Sequence, residues 1–593
     1  MPADSRFALF DGDGGGAVLL TDYRRSIFFA AGDDLAASFA AIEGVAANGE
    51  WLALAVDYSL GAGFEPALFT PDSGRAGLRA WVFGRCQRLD AAAVDAFLAE
   101  RLATLPGHER IAGVADLCAW QDATRYAVVI EQIHRWIVDG ECYQINFTFP
   151  LTFKYYGDPL ALYAQLRARQ PVRYGGYIAA PDGTFLSFSP ELFFERCGDR
   201  VVTRPMKGTA PRGVTAEEDE AARAALLASA KERAENLMIV DLLRNDLGRL
   251  ATPGKVRVDR LFEIEPYPTL WQMVSTVSAD LPDVNLFALF RALFPCGSIT
   301  GAPKIRAMQR IAEIESAARG LYTGAFGWLA PGGDCRFNVA IRTLELAADR
   351  TGKLGVGSGV VIDADSASEY AECLLKAKFL TDFDPGFELI ETLRLEQGAY
   401  PLLTQHLERL QASAQALGFA CDIEKVTAVL LLAAARDQPG VFRIRLTLAH
   451  DGSCQLDVQP MAVDDGRLWQ VVMAGETLDA DDYLLRHKTT ARGRYDRALA
   501  ALSGRPEVFD AIFLNACGEV CEGARSNVFV ERDGVLLTPP LACGLLPGVM
   551  RRQLIESGRA VEQLLRLEDL QSAPAIYVAN ALRGLMPVRL MCK

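Results

Sequence analysis

The sequence predicts an α/β (α+β) protein of at least two domains, and three observations carry that expectation. At 593 residues the chain is too long for a single hydrophobic core. Half of its residues are hydrophobic and 23% are charged, the composition of a folded globular protein. From about residue 120 to 380 long helical patterns alternate with strand-like runs. A turn-rich stretch, TDFDPGF at residues 381–387, then separates them from a second set of strands and helices.

The bulk numbers also exclude some classes of function. A net charge of −14 argues against nonspecific binding to nucleic acid or to an anionic membrane. The longest apolar run, residues 426–435, is about half of what a bilayer span needs and reads as a buried helix. The opening stretch, MPADSRFALFDGDGGG, lacks a basic region followed by an apolar one, so no secretory signal is expected and the cytoplasm is the default. The thirteen cysteines are scattered. Cys517 and Cys521 have no further ligand nearby to complete a zinc site, and the set reads as reduced thiols. His134, His406, His450 and His487 each sit alone, against a histidine metal site or a Ser-His-Asp triad.

Residues 1–115 mix short β-like runs, 51–56 and 78–83, with Ala-rich helical stretches. Within residues 116–380, PMKGTAPRG at 205–213 sets Lys207 among Pro205, Gly208, Pro211 and Gly213. A carboxylate, Glu191, precedes it in FLSFSPELFFER. Alone, the stretch reads as a Gly/Pro turn carrying a solvated lysine. Residues 231–250 form a helix pattern with Ile239, Val240, Leu243 and Leu247 on one stripe. Glu232 and Glu235 near its start suit the helix dipole. GVGSGVV, 355–361, is strand-like; its glycines would let backbone N–H groups approach an anion, or form a bulge. Ser366 and Glu369 match a capping box opening a second helix, on which Glu372 and Lys376 are i,i+4 neighbours. After the junction at 381–386, FELIETLRLEQGAYPLL reads as a hairpin turning at Gln397-Gly398. Residues 404–417 read as an amphipathic helix with Leu407, Leu410, Ala414 and Leu417 on one face, stopped by Gly418.

Together with IEQIHRWIVDGECYQINFTFP, GGYIAAPDGTFLSFSPE, LFPCGSITGAPKIRAMQRI and RGLYTGAFGWL, these segments resemble the chorismate-utilising enzyme family over roughly residues 120–380. The Lys207 stretch is similar to the PIKGT loop of the aminodeoxychorismate synthase component I family; anthranilate synthases usually have alanine there. The resemblance implies two α/β lobes whose sheets face each other around the site. It implies Glu191 as the general acid for the 4-hydroxyl of chorismate, with a pKa raised by burial. It implies Mg²⁺ on Glu235 and Glu372, whose hard oxygens suit that ion. Lys207 would be the nucleophile, its amine made neutral by its surroundings. Thr300, Lys376, Arg342 and the backbone of Gly357 and Gly359 would hold the substrate, with Tyr322 beside them. Gln144 stands where isochorismate- and salicylate-forming relatives have a water-activating lysine, which fits the use of ammonia. Gln272 stands where many relatives carry histidine. No glutaminase motif is recognisable, which implies ammonia from a separate amidotransferase subunit or from solution.

Residues 387–593 resemble the class IV aminotransferase-like family of fold-type IV pyridoxal phosphate enzymes, built of two small α/β subdomains. HLERL places Arg409 where the family uses an arginine on the cofactor phosphate. LLRHKTTARGRYD places Lys488 at the cofactor-linking lysine, and GEVCEGARSNVF places Glu522 at the partner of the pyridine nitrogen, with Ser526 and Asn527 following. TPPLACGLLPGVMR supplies Gly548, with the N–H groups of Val549 and Met550 for phosphate. VANALRGLMPV resembles the segment of the 4-amino-4-deoxychorismate lyases, with Arg583 on a substrate carboxylate. The two resemblances together imply a bifunctional enzyme of 4-aminobenzoate, hence folate, synthesis. The alternative is a synthase component fused to a branched-chain or D-amino acid aminotransferase. Members of the second family are commonly dimers, so a homodimer through that domain is expected.

Overall fold

The computed structural model describes residues 6–30, 32–65, 68, 76–181, 183–267, 270–435, 440–462 and 466–591. Residues 1–5 of the opening stretch, and residues 268–269 beside Tyr267, lie outside them. The chain folds into two compact units. One comprises Met1–Thr104, Cys118–Lys154 and Leu162–Thr381; the other comprises Leu105–Leu117, Tyr155–Ala161 and Asp382–Lys593. The sequence assigns residues 105–117 and 155–161 to the first half of the protein. They pack in the second unit, where Ala115 and Tyr156 share a core with Phe387, Leu389 and Phe419.

The first unit links eighteen strands through shared pairings. The run WLALAV explains how it is layered. Polar residues do not alternate along it because both of its faces are covered. Leu52, Leu54 and Val56 enter one core with Phe194, Phe290 and Phe337. Ala53 and Ala55 enter a second core with Trp81, Phe326 and Trp328. The strand Trp51–Val56 pairs with Ala76–Leu89 and Ala325–Leu329, so that Leu54 lies opposite both Ala80 and Gly327.

Four elements of this unit position the first site. The helix Ala230–Gly248 is capped by Ser229, whose side chain accepts from the Glu232 N–H, and buries Ile239, Val240, Leu243 and Leu247. Each such aliphatic burial contributes about 1.5–3 kcal/mol. The strand Gln144–Tyr156 runs antiparallel to Thr351–Val360, with Asn146 opposite Gly359. The stretch around Lys207 is the strand Met206–Pro211, paired with Leu270–Asp280. Its register shifts between Met206 and Thr209, which lifts Lys207 and Gly208 out of the ladder as a bulge. The helix Ser366–Thr381 is capped by Asp365 rather than by Ser366. The Asp365 carboxylate accepts from the Ser368 N–H at 2.9 Å and from its hydroxyl at 2.8 Å, so the capping box expected from Ser366 and Glu369 is displaced by one residue.

The second unit contains a three-stranded antiparallel sheet, Leu389–Glu396, Val441–Leu448 and Cys454–Pro460, and a separate eight-stranded sheet. The expected hairpin at 387–403 forms only its first strand. After the turn at Gln397 and Gly398, both with positive φ, a single bridge joins Glu396 to Ala399. Pro401 has no N–H to offer a ladder, and the chain enters the helix Leu403–Leu417 instead. That helix buries Leu410, Ala414 and Leu417 and stops at left-handed Gly418. The apolar run 426–435 lies in the helix Ile423–Ala434, which buries one face through Val426 and Leu430 and leaves Leu431 and Leu432 exposed.

Candidate active sites

The first unit holds a cavity of 310 Å³ lined by residues from several of its elements. Glu191, Lys207, Gln144, Tyr322, Arg342, Gly357, Gly359, Lys376, Glu235 and Glu372 all line it. Glu191 is buried and lies immediately before the strand Leu192–Cys197. The Ser298 hydroxyl donates to its Oε1 at 2.8 Å. Burial pushes its carboxyl up to about 7, against the opposing effects of the Ser298 hydrogen bond and the Lys207 charge. Lys207 reaches in from the bulge. A Cβ on Gly359 would lie 3.7 Å from Lys207 Nζ and 2.4 Å from Gln144 Nε2, so the lysine and the glutamine converge on the glycine-rich strand. Gly208 adopts φ +91°, a conformation open to glycine, and its carbonyl accepts from Gln272 Nε2 at 2.8 Å. Gln272 therefore lines the cavity and also ties down the bulge that carries Lys207.

Glu232 and Glu369 also line this cavity, and among the described residues no three carboxylate, imidazole or thiol groups come together closely enough to hold a metal ion. Lys376 Nζ pairs with Glu372 at 2.8 Å and donates to the Gly357 carbonyl at 2.8 Å. Burial raises the Glu232 pKa, and the negative charges of Glu235 and Glu372 raise it further. Carboxylates that repel one another in a cavity fit a hard divalent cation held by Glu235 and Glu372. Arg342 has a backbone φ of +49°. Its guanidinium makes no hydrogen bond or ion pair with a described residue, and burial lowers its pKa, an environment that suits an anionic ligand. Thr300 differs from expectation. It is fully buried and does not line the cavity; its hydroxyl is taken by the Cys296 and Gly297 carbonyls of its own turn. Ser298 occupies the role of hydroxyl donor in the site instead.

The second unit holds a cavity of 440 Å³. Lys488, Arg409, Glu522, Ser526, Asn527, Gly548, Val549 and Met550 line it. Burial brings the Lys488 amine down to about 8, helped by the charges of Arg409 and Arg492. Burial brings Glu522 up to about 7. Tyr495 donates its hydroxyl to Glu522 Oε1 at 2.6 Å, and the Leu546 N–H donates to Oε2 at 3.1 Å. Arg409 is clamped by Glu391 through two hydrogen bonds of 2.8 and 2.6 Å, and His406 contacts the same carboxylate at 2.6 Å. The Ser526 hydroxyl donates to the buried Asp510 at 2.5 Å, and Asn527 Nδ2 donates to the Leu546 carbonyl at 3.0 Å. Gly548 precedes the helix Val549–Glu556; a Cβ there would lie 2.0 Å from Asn527 Oδ1. An open helix start beside a clamped arginine fits a phosphate group, and a lysine of lowered pKa opposite a held carboxyl fits pyridoxal phosphate. Arg583 does not line this cavity; its charge acts on Arg525, which does. His108, in the segment 105–117, also lines it.

Glu391, Tyr495 and Ser298 were not picked out from the sequence and His406 was read as an isolated histidine, although His406, Tyr495 and Ser298 sit inside stretches that carried a resemblance. His406 lies one turn before Arg409 on the same helix face, which is the one available signal. Among the described residues the cysteines are free thiols, and no helix is long and apolar enough to cross a membrane.

Comparisons with known proteins agree with this division. A family model described as chorismate binding enzyme matches residues 42–382, and one described as amino-transferase class IV matches residues 388–591. An aminodeoxychorismate synthase of Streptomyces pristinaespiralis is 44% identical over 256 residues, covering 43% of this chain and 36% of the relative. Aminodeoxychorismate synthase component 1 of Klebsiella aerogenes is 43% identical over 249 residues, covering 42% of this chain and 55% of the relative. The chain thus spans about half or less of the length of these relatives. The crystal structure of anthranilate synthase component I from Streptococcus pneumoniae superposes with a TM-score of 0.54 at 25% identity, covering 62% of this chain and 92% of that one. The chain belongs to the chorismate binding enzyme family and continues into an amino-transferase class IV domain.

Proposed function

We propose that the chain is a two-part enzyme of 4-aminobenzoate, and hence folate, synthesis. The first cavity converts chorismate and ammonia to 4-amino-4-deoxychorismate and water. The second splits that amine into 4-aminobenzoate and pyruvate. The observation that carries the reading is the convergence of Lys207 and Gln144 on Gly359 in the cavity that also holds Glu191.

Hydroxide leaves poorly, so departure of the ring 4-hydroxyl needs a proton. Glu191, with a pKa of about 7, retains one at neutral pH. Lys207 Nζ bonds to ring C2 while the C4–O bond breaks and the ring double bonds shift; the hydroxyl takes the Glu191 proton and leaves as water. Ammonia then bonds at C4, the double bonds shift back, and the C2–N bond breaks. The surplus proton on the new amine returns to Glu191. Arg342 and Lys376 hold substrate carboxylates, and Gln144 offers an uncharged amide where a lysine would activate water. Mg²⁺ on Glu235 and Glu372 would supply positive charge to a substrate oxyanion. A separate glutamine amidotransferase supplies the ammonia.

In the second cavity, pyridoxal phosphate when bound supplies an electron sink. Lys488 holds it and moves protons at Nζ, an amine whose pKa of about 8 leaves a useful neutral fraction near pH 7. Glu522, fixed by Tyr495 and the Leu546 N–H, partners the pyridine nitrogen. Arg409 and the N–H groups of Val549 and Met550 take the phosphate, and aromatisation of the ring favours loss of pyruvate.

The test is a product assay. The purified chain is incubated with chorismate, an ammonium salt, Mg²⁺ and pyridoxal phosphate, and aromatic products are separated by chromatography. 4-Aminobenzoate with equimolar pyruvate is expected. Anthranilate would overturn the first half of the proposal. Accumulation of 4-amino-4-deoxychorismate, together with amino-group transfer to an added 2-oxo acid, would replace the lyase with a transaminase.

A further inference from the structure

Residues 105–117 belong by sequence to the first half of the protein, yet His108 and Ile111 line the second cavity. The segment is built into the second unit. Ile111 packs against the core that buries Ala115, Leu389 and Leu393. A second stretch of that unit, 155–161, braces it. The Asp158 N–H donates to the Glu109 carbonyl at 2.8 Å. Gly157, with φ +73°, lies so close that a Cβ there would stand 2.4 Å from the Ile111 carbonyl oxygen. A Cβ on Gly113 would stand 2.3 Å from the Tyr156 hydroxyl oxygen. Packing against named neighbours therefore fixes where His108 sits.

The same two stretches reach the turn that carries Lys488. Tyr156 is buried, and its ring lies 6.4 Å from that of Tyr483 with the planes 11° apart. The Tyr483 hydroxyl donates to the Asp116 carboxylate. Asp116 holds a φ of +52°. A residue with a side chain adopts that conformation at a cost, and a tertiary contact can maintain it. Tyr483 opens the 3₁₀ turn Tyr483–Arg486, and its ring lies 5.1 Å from that of His487, the residue before Lys488. His487 Nδ1 contacts the Ser413 hydroxyl at 3.0 Å, and the Lys488 carbonyl accepts from the Ile390 N–H at 2.8 Å. The lysine is thus held by the strand Leu389–Glu396 and, through Tyr483, by Asp116 and Tyr156.

We propose that residues 105–117 form a wall of the second active site, with His108 a binding residue for the amine substrate and Asp116 a positioning residue that acts on Lys488 through Tyr483. The inference rests on the proposed second reaction and adds to it residues from the first half of the sequence. The groups assigned to the cofactor, Lys488, Glu522, Arg409 and the start of the helix Val549–Glu556, stand on other elements. The wall made by His108 and Ile111 is left for the second ligand. It joins an imidazole, able to make a hydrogen bond, to an aliphatic face. That pairing suits an amine whose polar substituents stand on a hydrocarbon ring. Asp116 is itself exposed, so its bond to Tyr483 adds little stability and serves mainly to orient the turn.

The experiment uses the full chain loaded with pyridoxal phosphate. The variants are His108→Ala, His108→Gln, Asp116→Asn, Tyr483→Phe and the double variant of the last two. The His108 side chain is 36% exposed and Asp116 is exposed, so changes there open no core. Visible absorbance of the cofactor and the denaturation midpoint check that each variant is loaded and folded. Three quantities are measured: KM and kcat for 4-amino-4-deoxychorismate, Kd for 4-aminobenzoate from the change in cofactor absorbance, and the pH at which the cofactor band changes. His108→Ala should raise KM and Kd by about three- to tenfold, the loss of one hydrogen bond, with kcat changed by less than about threefold. His108→Gln keeps a donor and an acceptor and should recover part of the loss. Asp116→Asn and Tyr483→Phe should each lower kcat by about threefold or more. Each should also move the pH of the band change, because a displaced Lys488 amine meets the charges of Arg409, Arg492 and Glu522 differently. The double variant should be no worse than the worse single one. Unchanged KM and Kd in loaded His108→Ala would overturn the wall. A lower denaturation midpoint with kcat and the band pH unchanged would reduce Asp116 and Tyr483 to a structural contact and overturn their positioning role. No turnover by the unsubstituted chain, with 4-aminobenzoate binding still weakened by His108→Ala, would sink the proposed second reaction and leave the wall standing.

Discussion

The two cavities contain the same pair of groups, a lysine and a buried glutamate, and differ in what surrounds them. Burial brings both carboxyls, Glu191 and Glu522, up to about 7. Glu191 has the Ser298 hydroxyl and the Met206 backbone N–H as donors, with the Lys207 charge nearby. Glu522 has Tyr495 on one oxygen and the Leu546 N–H on the other. Uncharged donors, a hydroxyl and one backbone N–H in each case, leave both carboxyls raised by burial. A third buried glutamate, Glu391, marks the opposite limit. Burial raises it too, but the charges of Arg409 and His406 outweigh that and hold it at about 2. Burial alone therefore does not decide what a buried carboxyl does; the charge of its partners does.

The largest effect that would break this comparison is at the second lysine. Lys488→Ala should lower 4-aminobenzoate formation by at least about 10³-fold, while 4-amino-4-deoxychorismate accumulates in the same chromatogram. Loss of both products together would show that the two sites are not independent. Next, Glu191→Gln keeps the shape and removes the acid. It should slow the first step by about 10²-fold or more, measured as chorismate consumption, with the second step unchanged when 4-amino-4-deoxychorismate is supplied directly.

Ser298→Ala sharpens the comparison. The Ser298 hydrogen bond holds the Glu191 pKa down, so its removal raises that pKa further above its ordinary value of 4.5. In the proposed first step the protonated form is the acid. The alkaline limb of the first-step pH profile should then move to higher pH, whereas a purely structural serine would lower the rate at every pH without moving the limb. The smallest effect is at the bulge. Gly208 has φ +91°, and an added Cβ would lie 2.9 Å from Glu232 Oε2. Gly208→Ala should cost about 1–2 kcal/mol of stability, seen as a lower denaturation midpoint. It should also reduce the first activity and spare the second.

How much of this was legible beforehand varies with distance along the chain. The stripe of Ile239, Val240, Leu243 and Leu247 and the stop at Gly418 follow from local periodicity and turn chemistry, and both are present. The cap of the helix at Ser366 moved to Asp365 because two neighbouring residues could each accept from the first turn, and the choice depended on one residue of register. The hairpin after Gln397 did not form because Pro401 withholds an N–H and Val441–Leu448 fills the ladder beside Leu389–Glu396. Thr300 was expected to hold the substrate on the strength of the resemblance; two backbone carbonyls of its own turn take its hydroxyl.

The sequence by itself determined the chemistry available to this protein. Its motifs carry Lys207, Glu191, Lys488, Glu522 and Arg409, and its hydrophobic periods build the elements that bear them. Only the tertiary structure decided how those groups are tuned. Ser298 meets Glu191 from 107 positions away, and Gln272 secures Gly208 from 64. A pKa or an unsatisfied donor depends on burial and on neighbours brought close by packing, and no local pattern of residues encodes which distant side chain will arrive.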